Sequence, residues 1–135
     1  MKVFLVYLWR FWMVILGTVL TLILFLPVYL LSIRKEDYKL CYFFIRFWAL
    51  GMFFGMSFRY RLIKETKKKI DKKQAYVIIS NHTSIMDVML PCILFPNHPL
   101  CYVGKKEIEK IPIFGTVYRR VCVMVDRKSA RSRAD

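Results

Sequence analysis

His82 and Asp87 bear side chains with which a protein can take a proton from a hydroxyl group. An imidazole with an ordinary pKa of roughly 6.5 accepts a proton near neutrality, and a carboxylate behind it fixes the tautomer and stabilises the imidazolium. They stand five residues apart, and five steps along one continuous helix would put them on faces about 140° apart. The two face each other if His82 precedes a helix and Asp87 sits in its first turn. The flanking residues suit that arrangement. Ala75–Ser80 is a short apolar run that reads as a buried strand, and Val88–Leu94 reads as a short apolar helix. Between them Ser80, Asn81, Thr83 and Ser84 are each able to cap a helix start. Taken alone, the same residues also read as a polar turn in which Asp87 only favours a helix N-terminus.

The elements around this turn follow from the apolar pattern. Phe58–Ile63 alternates in character and reads as a first strand, and Lys64–Gln74 as a charged connection. After the helix come a turn at Pro96-Asn97-His98-Pro99 and a third strand at Leu100–Gly104. A helical turn at Lys105–Lys110, a short helix at Ile113–Arg120 and a fourth strand at Val121–Val125 complete the order, with Asp126 and Arg127 at the strand's end. Strands alternating with short helices imply an α/β domain, in which ligands gather beyond the carboxyl ends of strands. His82 and Arg127 are both placed there.

The first part of the chain has a different character. Phe11–Ile33 is a 23-residue stretch without charge, long enough to span a bilayer with some tilt. It is long for a signal-peptide core, and no small-x-small cleavage site follows closely, so a retained anchor is expected. Leu40–Phe58 is a second apolar stretch interrupted by Arg46. It could cross the membrane, re-enter it or lie in its interface, because a central arginine is costly in hydrocarbon. Residues 1–58 thus read as a membrane helical hairpin and 59–135 as a separate domain.

The net charge of +14 is concentrated just after the hairpin, where Arg59, Arg61, Lys64, Lys67, Lys68, Lys69, Lys72 and Lys73 fall within fifteen residues. Next to a membrane segment, such a cluster argues for the cytoplasmic side and for anionic headgroups as partners. A nucleic-acid partner is not expected, since no zinc spacing, aromatic RNA-binding motif or DNA-reading pattern accompanies the charge. The cysteines at 41, 92, 101 and 122 form no C-x-x-C pair, and His82 and His98 stand apart, so no metal centre is expected. No phosphate-binding glycine loop is present.

Asn81-His82-x-x-x-x-Asp87 resembles the signature block of the glycerolipid acyltransferases, in particular the 1-acyl-sn-glycerol-3-phosphate (lysophosphatidic acid) acyltransferases. Three further stretches are similar to that family in order and spacing: Lys105-Lys106-Glu107-Ile108, Ile111-Pro112-Ile113-Phe114-Gly115, and Val121–Val125 followed by Asp126-Arg127. The resemblance covers roughly residues 58 to 135. It departs at Val121, where the family usually has glycine. The family's phenylalanine-proline-glutamate-glycine-threonine block and its later proline-centred block do not occur here. The resemblance therefore implies the front part of an acyltransferase domain; the 135-residue chain alone is expected to be inactive, and its cytoplasmic part, small for an independent core, to be loosely folded.

The resemblance implies acyl transfer from an acyl thioester, of coenzyme A or acyl carrier protein, to the free hydroxyl of a lysophosphatidate, with no further cofactor. His82 would be the general base and Asp87 its partner. Arg127 would hold the acceptor phosphate, with Lys105 adding a second positive charge. A surface ion pair of Arg127 with Asp126, and a solvated Lys105, are the plainer alternatives. A truncated, non-catalytic membrane remnant or lipid-surface binding module remains a rival reading. A hydrolase built on Ser84 and His98 is a third, without the G-x-S-x-G elbow such enzymes use.

Overall fold

A computed structural model of the chain describes residues 2–63, 65, 70–71, 74–81, 83–112 and 114–126. The described chain is mostly helical. Helix α1 (Lys2–Leu31) and helix α2 (Tyr38–Gly55) form an antiparallel hairpin. A 3-10 turn at Ile85–Val88 leads directly into helix α3 (Met89–Leu94). Strand β1 (Tyr102–Lys105), a second 3-10 turn (Lys106–Lys110), helix α4 (Phe114–Val121) and strand β2 (Cys122–Val125) follow.

Residues Val3–Leu31 have a mean hydropathy of 2.6 and are long and apolar enough to cross a membrane, by length and composition. The hairpin closes tightly because small residues lie where the helices meet. A side chain on Gly51 or Gly55 would run into Leu20 or Leu16 of α1. The indoles of Trp12 and Trp48 donate across the hairpin to the Gly55 carbonyl (2.9 Å) and Thr21 Oγ1 (3.1 Å). Helix α2 ends in a Schellman closure: the N–H of Phe58 bonds the Phe53 carbonyl at 3.0 Å and that of Ser57 the Phe54 carbonyl at 2.8 Å. Ser57 takes the left-handed conformation this requires, with φ 60°.

The core is shared between the hairpin and the rest of the chain. Tyr42, Ala49 and Met52 of α2 pack with Met89 and Cys92 of α3, and Met13, Leu16 and Leu20 of α1 line the same cluster. Helix α2 also presents a polar stripe at four-residue spacing, which places Tyr38, Tyr42 and Arg46 on one face. Tyr38 donates to the Leu100 carbonyl (2.6 Å), Tyr42 to that of Phe95 (3.1 Å) and Arg46 to that of Cys92 (3.2 Å). These three carbonyls lie at and beyond the end of α3, where helix and turn leave acceptors unpaired. Arg46, the charge that interrupts the second apolar stretch, thus serves as a half-buried tie to α3.

The α/β expectation is met in one unit. β1 and β2 pair in parallel, with Tyr102 opposite Cys122 and Lys105 opposite Val125. The crossover carries α4, as parallel strands require. Elsewhere the expectation is corrected. Neither 58–63 nor 75–80 forms a strand, and no described residue pairs with either in a sheet. Ala75–Ser80 is exposed throughout, with Val77 at 90% and Ile79 at 92%. An apolar run is a strand only when a neighbour supplies the other half of its hydrogen-bond ladder. These two runs have the apolar pattern and, among the described residues, no such neighbour.

Candidate active site

The 3-10 turn at Ile85–Val88 places Asp87. Ser84 caps it from an extended backbone conformation (φ −142°, ψ 152°), and its hydroxyl accepts from the N–H of Met86 at 3.2 Å. Asp87 answers as the other half of a capping box. Its Oδ2 accepts from the N–H of Ser84 at 2.7 Å and from that of Thr83 at 2.6 Å. The carboxylate therefore grips the backbone of the two residues that follow position 82. Asp87 lies in the first turn, as its spacing from His82 predicts. His82 itself lies outside the described residues.

The motif turn is joined to the sheet by Tyr102. Its hydroxyl donates to the Val88 carbonyl at 2.7 Å and lies 3.0 Å from the Cys92 thiol. Burial and the Cys92 thiol hold the Tyr102 proton in place, raising its pKa well above the ordinary phenol value. Tyr102 thus remains a donor and fixes the start of β1 against the motif. Lys105 ends that strand with its side chain exposed, beside Val125 in the register. Asp126 follows Val125, and Arg127 lies outside the described residues. The parallel register brings Lys105 and Asp126 to one carboxyl edge of the sheet, the edge at which ligands gather in such folds.

An apolar groove of about 440 Å³ runs beside the turn. Its walls come from four elements: Met13, Gly17 and Thr21 of α1, Trp48 and Met52 of α2, Met86 of the 3-10 turn and Met89 of α3. Thioether side chains adapt to irregular apolar guests. The signal for the groove in the sequence is slight: Met86 and Met89 stand three apart, around the carboxylate.

Ser84 and His98 have separate partners. The Ser84 hydroxyl serves the helix cap, while His98 Nε2 lies 3.1 Å from the Asp71 carbonyl and its ring packs edge-on against Tyr76. This arrangement gives a Ser84 nucleophile no support.

The thiols around the sheet differ in burial. Burial pushes Cys122 up to about 11, with Cys101 adding to the effect, and burial also raises Cys92. Cys101 is exposed. A raised pKa lowers the thiolate fraction at neutral pH, and the thiolate is the nucleophile. Iodoacetamide at pH 7.5 should therefore modify Cys101 about tenfold faster than Cys92 or Cys122. A mass-spectrometric time course checks this, and equal rates at Cys101 and Cys122 would contradict the packing of β2.

A family model described as Acyltransferase matches residues 61–135, more than half of the chain. The match takes in His82, Asp87, Lys105 and Arg127. No curated protein and no solved structure matches the chain.

Proposed function

Because the chain belongs to the acyltransferase family, we propose that it moves an acyl chain from a coenzyme A or acyl carrier protein thioester to the free hydroxyl of 1-acylglycerol-3-phosphate. The product is a diacylated phosphatidic acid, as phospholipid biosynthesis requires. The observation that carries the reading is Asp87 gripping the backbone N–H groups of Thr83 and Ser84, directly after His82, within the matched region.

In this reading His82 takes the proton from the acceptor hydroxyl as its oxygen attacks the thioester carbonyl. The carbon–sulfur bond breaks, and the departing thiolate receives the proton from His82. The substrate oxygen is itself the nucleophile, so no acyl-enzyme is needed. Asp87 fixes the turn that carries His82 and offsets the charge the imidazole acquires. The acceptor phosphate is held by the Arg127 guanidinium through a bidentate fork, with Lys105 adding a point charge. The groove walled by Met86 and Met89 suits an acyl chain. The basic cluster at 59–73 supports a cytoplasmic placement of the acyltransferase part on an anionic membrane. No cofactor beyond the thioester is required.

The test is release of free thiol from an acyl thioester by membranes carrying the protein, compared between lysophosphatidate and a monoacylglycerol lacking phosphate. Lysophosphatidate should be preferred by about 10²-fold, since a charge-assisted hydrogen bond to the phosphate contributes about 1.5–3 kcal/mol. Equal use of both acceptors would overturn the phosphate assignment. Lipid binding without turnover in these membranes would favour a lipid-surface module instead.

Arg127→Lys separates the acceptor from the donor. A compact ammonium replaces a planar fork, so the lysophosphatidate KM should rise about tenfold while that of the thioester changes little. An unchanged acceptor KM would place Arg127 on the solvated surface.

A further inference from the structure

Helix α3 spans only six residues, Met89–Leu94. A helix shorter than about 12 residues does not hold itself in water. Its direction, and that of the 3-10 turn before it, is therefore set by what they are tied to. At the far end the tie is α2: Arg46 donates to the Cys92 carbonyl at 3.2 Å and Tyr42 to that of Phe95 at 3.1 Å. At the near end it is Tyr102 of β1, whose hydroxyl donates to the Val88 carbonyl at 2.7 Å. Val88 directly follows Asp87. The bond thus falls one residue from the carboxylate that clamps Thr83 and Ser84.

A phenol has one proton to give. The Val88 carbonyl takes it, so the Cys92 thiol, 3.0 Å from the same oxygen, is the donor of the second contact. Burial raises the pKa of both groups, and both keep their protons at neutral pH. Tyr102 in turn stands on a fixed frame. β1 is paired with β2 from Tyr102 to Lys105. Two residues on, and on the same face of the strand, a Cβ on Gly104 would run into the hydroxyl of Tyr118 of α4. One short strand carries both the tie to the Asp87 turn and, about 10 Å further along, Lys105.

We propose that Tyr102 is a positioning residue for the proton transfer: by holding the Val88 carbonyl, it fixes the turn in which Asp87 clamps the chain that leaves His82. The proposal rests on the acyl-transfer reading with His82 as general base. Tyr102 acts through the turn and takes no part in binding either substrate. A base displaced by about 1 Å from its working position loses up to about 10²-fold in rate. Loss of one hydroxyl with the ring retained loosens the turn by less, so about tenfold is expected.

The test is Tyr102→Phe in a full-length context, which keeps the ring and removes the tie. Its kcat should fall about tenfold while the KM of acceptor and thioester stay within about twofold, because the loss is felt in the transition state alone. In a His82→Ala background the same change should lower the residual turnover by less than about twofold, since the group that Tyr102 positions is already gone. Cys92→Ala is the control for packing: it removes the thiol contact, leaves the bond to Val88, and should keep kcat within about twofold. Amide hydrogen exchange, read by NMR in detergent, should be about tenfold faster at Thr83 and Ser84 in Tyr102→Phe. An unchanged kcat overturns the proposal. So does a tenfold loss that persists without His82 or appears equally in Cys92→Ala, since either would mean that Tyr102 only packs α3. Unchanged exchange at Thr83 and Ser84 overturns it without reference to turnover. Wild-type protein with no turnover, but with exchange accelerated in Tyr102→Phe, would place the failure in the acyl-transfer reading: the tie to the turn stands, and its part in proton transfer falls.

Discussion

In a full-length context, His82→Ala should lower acyl transfer by about 10³-fold, within the range that a positioned general base contributes, while leaving the protein in the membrane fraction. The expectation rests on the geometry around position 82. Asp87 Oδ2 takes the N–H groups of Thr83 and Ser84 at 2.6 and 2.7 Å, so the chain leaving His82 is clamped to the first turn of the helix. Removing the imidazole leaves that clamp in place. Turnover should fall without loss of fold, and a lysophosphatidate acylation assay beside a carbonate-wash membrane assay reads the two separately. Near-normal turnover in the alanine variant would end the general-base assignment.

The Asp87 variants sharpen this result. Asp87→Asn keeps an oxygen able to accept the two N–H groups and removes the negative charge behind the imidazole. Asp87→Ala removes both, and loss of the cap alone costs about 1–2 kcal/mol. Asparagine should therefore lose turnover with little loss of stability, while alanine loses both. A stable, fully active asparagine variant would reduce Asp87 to a helix cap.

Gly115→Val should cost about 3 kcal/mol of stability, the upper range for overpacking. The ideal Cβ position on Gly115 lies inside the van der Waals surface of the Glu109 carbonyl oxygen, which belongs to backbone and cannot swing aside. Gly115 has no positive φ, so its requirement is room and not conformational freedom. Its N–H bonds the Ile111 carbonyl at 2.8 Å, which holds the start of α4 onto the 3-10 turn after Lys105. Displacing α4 would carry β2 and the approach to Arg127 away from Lys105. Gly17→Ala is the control. Its Cβ would meet Met52 at an ordinary 3.6 Å, so its cost should stay within about 1 kcal/mol. Thermal unfolding in detergent reads both, and equal stability of the Gly115→Val variant would show that the 3-10 turn and α4 are not in register as described.

The order of helices, the capped turn and Asp87 in its first turn were legible in the sequence because each is a local matter. An apolar run long enough for α1, a serine that caps three residues before an aspartate, and the β–α–β order from Leu100 to Val125 all depend on neighbours within a few positions. The resemblance to glycerolipid acyltransferases added the reading of His82, Asp87, Lys105 and Arg127. The structure places Asp87 at the turn and Lys105 at the strand end, with His82 and Arg127 outside the described residues.

What tertiary structure decided was every question of partner. Phe58–Ile63 and Ala75–Ser80 have the apolar pattern of strands, yet a strand is completed by a ladder with a distant segment, and these have none among the described residues. Arg46 reads from sequence as a costly charge in an apolar helix. In the fold it is tied to the Cys92 carbonyl, in line with Tyr38 and Tyr42, and that stripe makes α2 the platform for α3. The groove beside Asp87 is likewise assembled from residues as far apart as Met13 and Met89. Periodicity records which side chains shun water. Only the packed chain decides what they meet instead, because that free energy is earned between segments distant in sequence.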